Sequence, residues 1–134
     1  MKLNLGCGQD KRIGWENIDK EEDILTMKRD EESVDAILLN HVAMYFRPEE
    51  MRVLLKKWYG WLKKGGTVHI ETQDLDRIHT PEVLYGMGGN AGHKWGYTPQ
   101  TLGELMEEAG FRTNAMSGIL HGWPERDFLI IGKK

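Results

Sequence analysis

The first eight residues constrain the fold of this 134-residue chain most strongly, because an apolar extended run passes directly into a glycine turn. Leu3 and Leu5 flank a polar residue, as in a short buried strand, and Gly6 and Gly8 can adopt the positive φ angles of a sharp turn. Backbone amides there can approach a ligand closely, because no side chain intervenes. The pattern favours a binding site at the turn, although any tight turn also uses glycine.

The rest of the chain alternates strand patterns with helix patterns, which predicts an α/β fold. Residues 15–19 and 67–71 resemble short strands, and residues 33–40 form a near-continuous apolar run typical of a parallel strand covered on both faces. Short connections imply right-handed crossovers and a ligand crevice at the carboxyl ends of the strands.

Two helices are predicted from their apolar spacing. The first begins at Pro48, followed by two glutamates that complement the helix dipole. Its predicted core face consists of Met51, Leu54, Leu55, Trp58, Trp61 and Leu62, and its predicted last turn of Lys63, Lys64, Gly65 and Gly66. The second begins at Thr98 and Pro99 and ends at Gly110. Residues 111–116 and 128–131 then predict an antiparallel hairpin.

Composition limits the classes of partner and the compartment. The formal charge of -3, with acids and bases interspersed, provides no basic surface for nucleic acid and no polybasic membrane patch. No apolar run approaches the roughly 18 to 20 residues that span a bilayer, and the start lacks a signal-peptide pattern. The single cysteine, Cys7, forms no internal disulfide. We therefore expect one cytoplasmic domain, residues 1–134.

The kind of ligand can be argued from spacing. Asp19 and the Asn40-His41 pair lie at predicted strand ends, as the glycine turn does. A dinucleotide fingerprint requires a third glycine, but Lys11 occupies that position, which disfavours a pyrophosphate. An adenosine ligand without phosphates, with its ribose hydroxyls bound by Asp19, agrees better with these residues.

These segments resemble the small class I S-adenosylmethionine-dependent methyltransferases over nearly the whole chain. Residues 3–8 (LNLGCG) resemble the first motif of that family, and residues 14–19 resemble the segment that ends in the ribose-binding acid. Residues 34–46 resemble the fourth strand and its loop, and residues 62–70 the "LKPGG" turn into the fifth strand. Residues 93–111 are similar to the stretch before the sixth strand.

The resemblance implies a Rossmann-like three-layer sandwich with a mainly parallel twisted sheet and an antiparallel last strand. It implies S-adenosylmethionine as the cofactor, with Asp19 accepting from the ribose hydroxyls and Leu25 covering the adenine. The cofactor-binding residues that it implies are Leu5, Gly6, Cys7, Gly8, Asp19, Leu25, Asn40 and His41. The connection between Gly8 and Asp19 is too short for a full first helix, so the fold is expected to be a trimmed version.

Methyl transfer from a sulfonium depends mainly on alignment, and a base is needed only when the acceptor must lose a proton. The candidate bases are His41, Tyr45 and His93, each with the alternative role of shaping the pocket. His69 is expected to be structural, whereas His79 and His121 stand alone, so no metal is expected.

Residues 80–97 are rich in glycine and longer than most loops, and long loops in compact domains are often functional. We expect this segment to close over the acceptor, with Tyr85 and Trp95 as apolar walls. A loop without such a role is the alternative.

The sequence thus predicts a methyltransferase that acts on a small-molecule acceptor by in-line transfer. A non-catalytic module that binds S-adenosylmethionine and a nicotinamide-dependent oxidoreductase are the alternatives. Five tryptophans in so short a chain leave room for one or two at a homodimer interface.

Overall fold

The computed structural model describes residues 1–78 and 92–134, which form a mixed six-stranded sheet and two helices. The strands are β1 (Lys2–Leu5), β2 (Glu16–Ile18), β3 (Val34–Asn40), β4 (Leu62–Gln73), β5 (Arg112–Ser117) and β6 (Asp127–Lys133). The helices are α1 (Pro48–Trp61) and α2 (Pro99–Ala109), and Ala43–Tyr45 form a single 3-10 turn. None of the described helices is long and apolar enough to cross a membrane.

The sheet order is β2-β1-β3-β4-β6-β5. Strand β1 pairs in parallel with β2 and β3, and β3 pairs in parallel with β4. Strand β6 is antiparallel to both β4 and β5, which confirms the predicted hairpin. Because β2 and β3 lie on opposite sides of β1, the order reverses at β1, and the carboxyl ends there border a crevice.

Both described helices pack on the face of the sheet that carries alternate apolar residues such as Leu3, Ile37 and Val68. The face of α1 predicted from its spacing is buried, and Trp58 is fully buried. Burying one such large side chain contributes about 1.5 to 3 kcal/mol. The described core residues form a single cluster, so the strand ends of the crevice rest on one packed layer.

The predicted end of α1 is wrong. The helix ends at Trp61, and the lysines and glycines of residues 63–66 belong to an irregular part of β4. Leu62 pairs with Val34, and the next pair joins Thr67 to Ala36, so β4 bulges between them. The last helical carbonyls accept backbone N–H groups of the chain just before β3, at 2.9 and 3.0 Å, so no glycine cap is needed.

The predicted ends of α2 are confirmed. The Thr98 side chain accepts a hydrogen bond from the Thr101 backbone N–H at 3.0 Å, and Pro99 occupies the first turn. Gly110 ends the helix with a φ of 114°. A Cβ atom at Gly110 would lie 2.9 Å from the Tyr59 ring, so glycine is required by packing as well as by conformation.

Candidate active site

The glycine turn connects the end of β1 to the crevice. Gly6 and Gly8 have φ angles of 66° and 49°, as expected from the sequence. The Cys7 N–H donates to the Ile18 carbonyl at 3.0 Å, which ties the turn to the end of β2. A Cβ atom at Gly6 would lie 2.7 Å from the Val42 side chain, whereas one at Gly8 would meet nothing within 4 Å. Gly6 is therefore needed for packing, and Gly8 borders open space.

A cleft of about 490 Å³ lies at the carboxyl ends of β1, β2 and β3. Its lining residues are Gly6, Gly8, Asp19, Glu22, Asp23, Ile24, His41, Val42, Tyr45 and Phe46. Asp19 follows β2 directly and is exposed, and its backbone N–H donates to the Glu21 carboxylate at 2.7 Å. Within the described residues, the Asp19 carboxylate has no hydrogen-bond or ion-pair partner. It can therefore accept hydrogen bonds from a ligand in the cleft.

The other residues predicted to bind the cofactor, Leu5, Cys7, Leu25 and Asn40, are not among those that line this cleft. Leu5 is fully buried, and burial raises the pKa of the Cys7 thiol, with a smaller effect of Asp19 in the same direction. The Asn40 amide nitrogen donates to Asp10 at 3.2 Å. The Asn40 side-chain oxygen is buried and has no partner within the described residues. Leu25 is 41% exposed, and its neighbour in sequence, Ile24, lines the cleft instead.

A second cavity, of about 280 Å³, brings the three candidate bases together. Its lining residues are His41, Met44, Tyr45, Gln73, His93, His121 and Arg126. His41 and Tyr45 line both cavities, and the ring of Tyr45 meets the ring of His93 edge to face at 5.0 Å. The residues predicted from the sequence to act on the acceptor therefore lie beside those predicted to bind the cofactor.

His41 is fixed at the boundary between the two cavities. Its backbone has a φ of 58°, which is uncommon for a residue with a side chain, and its N–H donates to the Glu71 carbonyl at 2.9 Å. Its Nε2 lies 2.6 Å from the Asp127 carboxylate. Its ring stacks on the ring of His121 with centroids 3.9 Å apart, so the expectation that His121 stands alone is wrong.

Two fully buried carboxylates lie near this histidine, and that of Asp127 contacts it directly. Glu71 accepts three backbone N–H groups, from Ile119 at 2.6 Å, Leu120 at 2.8 Å and His121 at 2.6 Å. Asp127 accepts from Arg126 Nε at 3.0 Å as well as contacting His41.

The electrostatics of these groups follow from their partners. Burial alone raises the pKa of Asp127, but hydrogen bonds from His41 and Arg126 outweigh it and hold the pKa below its ordinary value. Burial and the neighbouring His41 lower the pKa of His121. Asp127 is therefore ionised at neutral pH.

Asp127, Glu71 and Arg126 are not among the residues predicted from the sequence. Asp127 is 86 residues from His41 along the chain. The two residues meet because β6 lies between β4 and β5 in the sheet. The sequence of the predicted hairpin does not indicate which of its two strands pairs with β4. The predicted lid, residues 80–97, lies mostly outside the described residues, as does His79. Trp95, within the described part, is 42% exposed.

Comparisons with known proteins relate this fold to methyltransferases. A family model described as "Methyltransferase domain" matches residues 9–70. A structure of a SAM-dependent methyltransferase from Archaeoglobus fulgidus has 18% identity and a TM-score of 0.74, with 99% of this chain and 85% of that chain covered. A SAM-dependent methyltransferase from Mesorhizobium loti has 12% identity and a TM-score of 0.71, with 99% and 90% covered.

A third similar structure is the complex between the Haloferax volcanii Trm112 methyltransferase activator and a methyltransferase. It has 14% identity and a TM-score of 0.73, with 98% of this chain and 81% of the matched chain covered. No protein with a curated description matches this sequence. At these identities the structural likeness establishes the fold, and it confirms the Rossmann-like α/β architecture expected from the sequence.

Proposed function

We propose that this chain is a class I S-adenosylmethionine-dependent methyltransferase, and that it is an active enzyme that methylates a small-molecule acceptor. The proposal depends mainly on one observation, the juxtaposition of two cavities that share His41 and Tyr45. The larger cavity is bordered by the glycine turn and Asp19, and the smaller one is bordered by groups that can exchange protons.

The residues of the larger cleft suit S-adenosylmethionine. The open space beside Gly8 allows close approach to the backbone. The Asp19 carboxylate, which has no partner among the described residues, can accept from two ribose hydroxyls. Ile24, Val42 and Phe46 provide apolar surface for the adenine.

When bound, the cofactor supplies a methyl group on a positively charged sulfur, with a neutral thioether as leaving group. The protein then has to orient the acceptor and exclude water. Met44 and Tyr45 offer walls for the smaller cavity, and His41 and His93 offer nitrogen atoms that can accept a proton. A cavity of about 280 Å³ in the described residues suits a small acceptor.

Two measurements test the proposal. Calorimetry should show binding of S-adenosylhomocysteine to the purified chain, and tritiated S-adenosylmethionine should label a small molecule in a deproteinised metabolite extract. Binding without labelling would support the alternative of a non-catalytic binding module. Binding of NAD with no affinity for S-adenosylhomocysteine would contradict the proposed function altogether.

A further inference from the structure

We propose that Asp127 is a positioning residue that holds His41 as the general base, and that the acceptor atom carries a proton which it must lose. This inference deepens the proposed methyltransferase function and depends on it. The acceptor is accordingly a hydroxyl compound, with a phenol as the simplest case.

The hydrogen bond between the two residues determines which ring nitrogen is free. Asp127 is ionised and fully buried, so its carboxylate accepts and His41 Nε2 donates across 2.6 Å. In the neutral imidazole the other nitrogen, Nδ1, then carries the lone pair. Nδ1 has no hydrogen-bond partner within the described part of the chain. Asp127 thereby leaves His41 ready to accept a proton at Nδ1.

Both residues are held by several contacts. Asp127 pairs with Gln73 at the junction of β4 and β6, and its second oxygen is held by Arg126. His41 is fixed by its backbone bond to Glu71 and by stacking on His121. A positive φ at a histidine is costly and persists only where the surrounding structure imposes it. The imidazole is thus held between the cofactor cleft and the smaller cavity.

A fixed base of this kind determines the class of acceptor. The acceptor hydroxyl gives its proton to Nδ1, and the oxygen electron pair bonds to the methyl carbon as the carbon–sulfur bonding pair stays on sulfur. The buried Asp127 carboxylate stabilises the resulting imidazolium, which later releases its proton to water. A nucleophile that is already anionic, by contrast, gains nothing from the base.

A metal ion is the competing explanation for this cluster. His41, Glu71 and Asp127 place ligand atoms within 4.8 Å of one another. However, both Glu71 oxygens accept backbone N–H groups, and the two Asp127 oxygens are occupied by Arg126 and His41. A cation would have to displace these donors, so the hydrogen-bonded dyad is the better interpretation.

NMR of the full chain with 15N-labelled histidine tests the dyad without an activity assay. We expect a slowly exchanging ring N–H signal that disappears in His41→Gln and is lost or strongly shifted in Asp127→Asn. Asp74→Asn is the matched control, since Asp74 is also buried and paired with an arginine, and it should leave the signal unchanged. Absence of any signal sensitive to both substitutions overturns the dyad. Stoichiometric Zn²⁺ binding that is abolished in Asp127→Asn also overturns the dyad.

Methyl transfer to phenols of graded acidity tests the acceptor class. For phenol, Asp127→Asn should lower kcat/KM about 100-fold or more, mainly through kcat. For 4-nitrophenol, which ionises readily, the loss should be small. The double variant with His41→Gln should be no slower than His41→Gln alone, because the two residues act as a unit. If Asp127→Asn does not fold, His41→Gln alone should show the same dependence on phenol acidity.

The possible failures can be told apart. Equal losses for all phenols overturn the inference. No transfer to any phenol by wild-type protein that still binds S-adenosylhomocysteine overturns the acceptor class only. Loss of S-adenosylhomocysteine binding by the wild-type protein contradicts the proposed function itself.

Discussion

At the scale of single residues, the proposed cofactor cleft contains a carboxylate that has no partner among the described residues. Asp19 sits at the end of β2 and lines the cleft, and its backbone N–H is held by Glu21. Other acids on the same connection are already engaged: Glu22 contacts Arg29 at 2.8 Å, and Asp23 accepts from the Leu25 N–H at 2.9 Å. Asp19 is thus the acid there that is best prepared to accept from a ligand.

We predict that Asp19→Ala weakens binding of S-adenosylhomocysteine at least about 10-fold. A hydrogen bond to a charged group contributes about 1.5 to 3 kcal/mol, and 1.4 kcal/mol corresponds to a factor of ten. Isothermal calorimetry measures the change. Asp30→Ala is the matched control, because Asp30 is an exposed acid on the same connection and does not line the cleft. Equal affinities of the two variants would contradict the assignment of Asp19.

Gly6 supports a prediction about stability. Gly6 has a φ of 66°, and a Cβ atom there would lie 2.7 Å from the Val42 side chain. The Gly6→Ala variant is therefore both conformationally strained and overpacked. We expect a loss of about 2 to 4 kcal/mol in the free energy of unfolding in urea, with roughly half from each cause. Gly14→Ala, with a φ of 82° and nothing within 4 Å, should show only the conformational cost of about 1 to 2 kcal/mol. Similar losses for the two variants would exclude the clash with Val42.

The residues of the candidate site that the sequence predicts are those with a local pattern, a polar residue or a glycine at the end of a strand. Gly6, Asp19 and His41 come directly after strands, Gly8 lies in the turn after β1, and all four line the cleft. Asp127 left no such signal, because its role depends on which strand lies beside β4. Leu25 was chosen as an apolar residue of the connection, but the backbone turns Ile24 toward the cleft instead.

At the scale of elements, helix starts were easier to predict than helix ends. Pro48 and Thr98 act locally, and both helices begin as expected. The end of α1 is decided by distant chain, since residues just before β3 bond its last carbonyls and Leu62 joins the sheet. Lysines followed by glycines suit a helix end or a bulge equally well, so local sequence could not distinguish them.

Strand β4 makes the stability of the fold sensitive to acid. Burial lowers the pKa of His69 in this strand, so the unfolded chain binds a proton more readily than the folded one. Well above about pH 6.5, His69 is neutral in both states and does not affect the free energy of unfolding. As the pH falls below about 6.5, protonation of the unfolded chain lowers that free energy. We predict that His69→Gln flattens the decline in unfolding free energy between about pH 6.5 and pH 5, measured with urea.

A residual decline is expected in that variant, because the pKa of His121 is lowered as well and acts in the same direction. Lys64→Gln is the control, since it alters charge at an exposed position of the same strand but does not titrate in this range. A decline in His69→Gln that matches the wild-type protein would show that burial of His69 has no energetic consequence.

At the scale of the whole molecule, the described residues form a six-stranded sheet with only two helices. The short connection between Gly8 and Asp19 contains no helix, and both described helices lie on one face of the sheet. The other face has a hollow of about 450 Å³ bordered by residues such as Trp15, Leu38 and His69. Composition had indicated one domain, and the described core is one cluster, so we expect cooperative unfolding.

Cofactor binding should therefore stabilise the molecule as a unit. S-adenosylhomocysteine at about 100 times its Kd should add about 2.7 kcal/mol to the free energy of unfolding. For a domain of this size the gain raises Tm by roughly 8 to 12 °C, measured by scanning calorimetry as the shift of one transition. NAD at the same concentration should cause no shift, and Asp19→Ala should need a higher S-adenosylhomocysteine concentration for the same effect. Two separate transitions, only one of them sensitive to the ligand, would contradict a single domain.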